Sequence, residues 1–113
     1  MTLPKKDVAR VERWSARRMP EYLRDQMRVE CDVADRHITI YEARAPWADE
    51  PPDGEWTRLS VARLRYTKVR NEWTLYWPDS DSRFHLWKDF GARRSVQSLL
   101  DFIDDDPTGI FWG

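Results

Sequence analysis

Cysteine occurs once in these 113 residues, as Cys31, and histidine twice, as His37 and His85. One cysteine excludes an internal disulfide and suits a reducing compartment, so a cytoplasmic location is expected. One cysteine and two histidines cannot build a Cys/His zinc site. No apolar run approaches the roughly 20 residues that span a bilayer. The first eighteen residues hold no apolar h-region, so no secretory signal is visible and no membrane association is expected. Net charge is also small: 19 basic side chains face 20 acidic ones, for a balance of −1. That balance gives no general attraction to duplex nucleic acid. Glycine is scarce at 4 residues, and no G-x-G-x-x-G, P-loop, G-x-S-x-G or H-E-x-x-H is present. No cofactor, resident metal or nucleophilic triad is therefore expected.

Aromatic residues, by contrast, are plentiful. Seven Trp, four Tyr and four Phe supply a core to a chain of single-domain length, taken as 1–113. Charge is segregated along the chain. Residues 1–28 carry a net +4, 29–55 a net −6, 56–94 a net +5 and 95–113 a net −4. Such blocks draw segments together in a fold or give a two-signed surface; self-attraction is the simpler outcome.

Periodicity predicts a helix from Leu3 to Met19, with Thr2 as N-cap and Pro20 as its stop. Val8, Val11, Ser15 and Met19 share one face with Trp14 at its margin, and Lys6, Arg10, Arg13 and Arg17 line the other. The basic stripe suits phosphate, but a solvated helix face explains it as well. Five strands follow. Met27, Val29, Cys31 and Val33 alternate with charged residues, and 34–37 makes a turn. Ile38 and Ile40 point inward on a second strand, His37–Arg44. The third, within 56–69, changes parity between Val61 and Ala62, which a bulge near Ser60–Val61 reconciles. Trp73, Leu75 and Trp77 point inward on the fourth, and Phe84 and Leu86 on the fifth, across a loop at 78–82. Proline and acid mark 45–55 as a loop. A last helix spans 96–104, with Ser95 as N-cap and Val96, Leu99, Leu100 and Ile103 on its apolar face. Ile110, Phe111 and Trp112 are too apolar to float free and are expected to dock. The expected fold class is α+β: a five-stranded, mainly antiparallel meander flanked by N- and C-terminal helices.

The wording of the second half is distinctive. Tyr41-Glu42-Ala43-Arg44-Ala45-Pro46-Trp47 fits an E-x-R-P-x-W element. Ala62 to Tyr66, Trp73 to Trp77, Phe84-His85 and the ending from Asp104 to Gly113 follow in order. Together they resemble a small bacterial family of unknown function, domain-of-unknown-function family 3024. The D-P-T-x-I-F-W-G ending is the most specific part. Ala45 stands where the family pattern has Pro, and Trp87 where it has Tyr. The resemblance implies a single bacterial domain and transfers no catalytic residue.

Three constellations and the single cysteine are the candidates for chemistry. Asp32, Glu42 and Arg44 resemble the D…E-x-K set of a metal-dependent phosphodiesterase or nuclease. Arg is a poor substitute for Lys, because a guanidinium cannot take up a proton. Asp32 and Glu42 also fall on opposite strand parities. Pairing of Glu42 with Arg44 is the simpler role, and no catalytic residue is assigned. Asp104, Asp105 and Asp106 read as a solvated helix end. Cys31, flanked by Val29 and Val33, reads as a small core residue.

The third constellation is the outer sheet face: Arg28, Glu30, Tyr41, Arg63, Arg65, Thr74, Tyr76, His85 and Trp87. Guanidinium and aromatic planes can stack bases or grip phosphate and carboxylate, although cross-strand stacking also stabilises sheets unaided. Tyr41, Arg63, Arg65, Tyr76, His85 and Trp87 are the candidate binding residues. The expected function is a non-catalytic binding or interaction module whose partner is a protein or a single-stranded nucleic acid. A metal-dependent phosphodiesterase is the alternative.

Overall fold

The structure, a computed structural model, describes residues 3–46 and 54–112. The elements are α1 (Lys5–Arg18), a 3-10 turn (Glu21–Leu23), β1 (Met27–Val33), β2 (His37–Arg44), β3 (Thr57–Thr67), β4 (Glu72–Pro78), β5 (Phe84–Leu86) and α2 (Val96–Asp105). The strands form one antiparallel sheet in the order β1-β2-β3-β4-β5, so the meander follows chain order. This is the expected α+β architecture; only the 3-10 turn is additional. The expected N-cap Thr2 and most of the 45–55 loop lie outside the described residues.

Both helices cover one face of the sheet. Val11 and Ser15 of α1 and Val96, Leu99, Leu100 and Ile103 of α2 are buried there. They meet Val29, Ile38, Ile40, Ala62, Leu64, Trp73 and Leu75. Trp73 is fully buried, and its indole Nε1 donates to Asp7 Oδ2 at 2.9 Å, so the polar edge of the core's largest side chain is satisfied by α1.

On β3 the register shifts at Ile40/Tyr41, leaving Val61 without a cross-strand partner. This is the bulge that the parity change called for. Val61 and Ala62, neighbours in sequence, are both buried as a result. Leu59 gains no such cover and is exposed opposite Glu42.

The C-terminal tail docks through Asp106. This residue takes the left-handed conformation at φ 43° and ends α2. Its carboxylate accepts the backbone N–H of Phe111 at 3.0 Å and of Trp112 at 2.9 Å. Trp112 Nε1 donates to Ile103 O, and Phe111, 6% exposed, stacks on Trp87. Ile110 departs from the expectation: it is 38% exposed and belongs to the surface. The acidic run is also more than a solvated end. Asp104 holds Arg18 Nε at 3.0 Å and the indole N–H of Trp14 at 3.0 Å.

Candidate ligand-binding face

The uncovered face of the sheet is built by strand alternation. Arg28, Glu30 and Asp32 of β1, Thr39 and Tyr41 of β2, Arg58, Arg63 and Arg65 of β3, and Thr74 and Tyr76 of β4 project from it. Tyr41, Arg63, Arg65 and Tyr76 therefore share one face, as the strand parities predict.

His85 and Trp87 do not. Tyr76 pairs with Leu86 and Trp77 with His85, so Phe84 and Leu86 lie on the outer face and His85 on the covered one. The expected inward parity of Phe84 and Leu86 is reversed. The cause is local. Asp79 folds the β4–β5 turn by accepting the backbone N–H groups of Asp81 and Arg83, and that turn fixes the register of a three-residue strand. Trp87 then packs its half-buried ring against Phe102 and Phe111, while the His85 ring lies tilted with its centre 4.7 Å from that of Trp77 and meets Asp79 Oδ2 at 2.7 Å. The His85 partner and the two backbone donors hold the Asp79 carboxyl below its ordinary range.

The outer face divides in two. At one end Arg58 lies over the Tyr41 ring at 3.9 Å, binds both oxygens of Asp32 at 3.1 Å and sits 3.3 Å from Glu30. Its cation is fully matched, and its pKa is raised by the Asp32 bonds and the neighbouring acids. At the other end Arg36, His37, Arg63, Arg65, Tyr76 and Phe84 line a cleft of about 210 Å³. None of the three arginines makes a salt bridge among the described residues.

Arg63 is the anchor of this second cluster. Its Nε donates to Thr39 Oγ1 at 2.9 Å, and its guanidinium lies over the Phe84 ring at 4.2 Å. Both contacts leave the terminal nitrogens available, a planar fork with fixed orientation. Burial and the charges of Arg63 and Arg65 push the His37 imidazole below its ordinary pKa, so it is neutral at pH 7. The site thus gathers three cations, one neutral imidazole and two aromatic rings. Arg36, His37 and Phe84 are absent from the sequence-based set. The turn at 34–37 hid the first two, and the β5 parity hid the third.

The other constellations have structural explanations. Asp32 and Glu42 project from opposite faces, and Arg44 binds Glu42 Oε1 through Nε at 2.9 Å and Nη2 at 2.8 Å. The phosphodiesterase-like set is therefore split across the sheet. Burial pushes the Cys31 thiol above its ordinary pKa, which keeps it protonated and weakly nucleophilic.

Comparison with known families agrees with the motifs. The profile of a domain of unknown function, DUF3024, matches residues 2–113. The chain belongs to the DUF3024 family. No curated protein and no solved structure matches it. In this DUF3024 protein, no helix among the described residues is long and apolar enough to cross a membrane.

Proposed function

We propose that this DUF3024 protein is a non-catalytic binding module that lays a single-stranded nucleic acid across β3, β4 and β5. The observation that carries this reading is the fixed Arg63 fork, held by Thr39 and Phe84 beside two further arginines without a carboxylate partner. Like charges held close are unfavourable without a counter-anion, and phosphate supplies one. Tyr76 and Leu86, paired across β4 and β5, give a base a surface to lie on, next to cations that reach its phosphates, while Phe84 is covered by Arg63 and serves to orient that guanidinium. The cleft is smaller than the roughly 300–1,000 Å³ of small-molecule pockets. Its shallow, sheet-borne form suits a strand lying on the surface.

The test is fluorescence anisotropy of a labelled oligothymidylate against NaCl concentration. Three arginine–phosphate contacts predict a slope of log K on log salt of about −2, at about −0.7 per contact for a single strand. No binding, or binding with no salt dependence, would sink the nucleic-acid reading; capture of a protein with little salt dependence would favour a protein interface instead.

A further inference from the structure

A second cationic surface lies on the opposite side of the molecule, where α1 meets α2. Arg10, Arg13 and Arg17 recur at intervals of three and four on the solvent face of α1. At 1.5 Å rise per residue they span about 10 Å along the helix. The groove beside them has a volume of about 490 Å³ and is also lined by Trp14, Arg18, Gln97 and one carboxylate, Asp104. That volume lies within the range of small-ligand clefts, unlike the cleft on the sheet.

The walls of the groove are fixed. Asp104 binds Arg18 and the Trp14 indole, and the Arg18 guanidinium lies 4.5 Å from the centre of the Trp112 ring. Gln97 accepts from Arg10 Nη1 at 3.1 Å and donates to Asp101 at 2.8 Å. Of the α2 acids, Asp104 is thus engaged by Arg18 and Trp14, and Asp101 by Gln97. Arg13 and Arg17 make no salt bridge among the described residues. Arg17 Nε reaches only the carbonyl of Arg13, at 3.4 Å. Arg13 and Arg17 are like charges at i and i+4, an arrangement that destabilises a bare helix slightly. An anion seated between them would reverse that cost.

We infer that the α1–α2 groove is a binding site for an oligophosphate anion, with Arg10, Arg13 and Arg17 as its phosphate ligands. Guanidinium forks match phosphate oxygens two at a time. A row of three spaced over about 10 Å suits a chain of linked phosphates better than one isolated carboxylate. The site is separate from the sheet face and does not depend on it.

Calorimetric titration with inorganic tripolyphosphate tests this directly. Saturable binding is expected, weakened at least tenfold in R13Q/R17Q and less in R13K/R17K, which keeps charge but loses the fork. The same loss on introducing R13Q/R17Q is expected in an R63A/R65A background, which removes two of the sheet-face cations and so isolates the groove. A parallel titration with a nucleoside triphosphate identifies the source: equal affinity assigns recognition to the phosphate chain alone, and tighter binding adds a contact to the base. Circular dichroism confirms that each variant is folded. Absence of saturable tripolyphosphate binding, or binding unchanged in R13Q/R17Q, would overturn the assignment.

Discussion

The two ends of the outer sheet face use the same residue types to opposite effect. At one end Arg58, Tyr41, Glu30 and Asp32 close a set in which cation, ring and carboxylates satisfy one another. At the other, Arg63 is positioned as firmly by Thr39 and Phe84, yet its neighbours are Arg36, Arg65 and a neutral His37. An arginine stacked on an aromatic ring therefore says little about function. The presence or absence of a matching carboxylate separates a structural cluster from one able to take a ligand.

Both ends stand on one scaffold, and the largest effect should come from breaking it. Deleting residues 110–113 removes Phe111, which stacks on Trp87, and Trp112, which bonds to Ile103. Burying one such side chain contributes about 1.5–3 kcal/mol. A loss near 3 kcal/mol lowers the melting temperature by about ten degrees. A shift within about two degrees would mean that the tail contributes nothing and that β5 is positioned by other contacts.

The next two changes separate the ends. Arg58→Ala leaves Glu30 and Asp32 without their shared cation, and a cost of about 0.5–1 kcal/mol is expected in a urea melt. Arg65→Ala removes a like charge from beside Arg63 and should leave stability within about 0.5 kcal/mol or raise it slightly. If Arg65→Ala were the more damaging, the cationic end would hold a structural partner and the contrast would fail.

The smallest effect is a pH dependence at His37. Its folded pKa lies below its unfolded value, so the unfolded chain binds the extra proton first. Stability should therefore fall as pH drops from about 6.5 through the folded pKa. His37→Gln should remove that part of the pH profile. A profile unchanged by the substitution would show that neither burial nor the charges of Arg63 and Arg65 perturb His37.

Much of this was legible in the sequence, for identifiable reasons. Strands with several alternating residues declare their faces, which is why Tyr41, Arg63, Arg65 and Tyr76 share one face as their parities predict, although Tyr41 stands at the Arg58 end and apart from the other three. Even the bulge was visible, because Val61 and Ala62 break parity within one apolar strand. β5 was not legible. Three residues carry no periodicity, and Phe84 and Leu86 look more inward than His85. Its register is set by the Asp79 turn and by the burial of Trp87 against Phe102 and Phe111. On the outer face Phe84 is covered by Arg63, a contact between residues 21 positions apart that no local pattern announces. Carboxylate pairing was equally hidden: Arg58 finds Asp32 across 26 residues.

The central claim is that binding belongs to the unmatched end. Its most direct test is oligothymidylate affinity at fixed low salt, measured side by side for the wild type, R58A and R63A/R65A. The account predicts that R58A binds within about twofold of the wild type. R63A/R65A should lose tenfold or more, as expected when interface arginines are removed, and its salt slope should fall by more than one. Equal losses in both variants, or a larger loss in R58A, would contradict it.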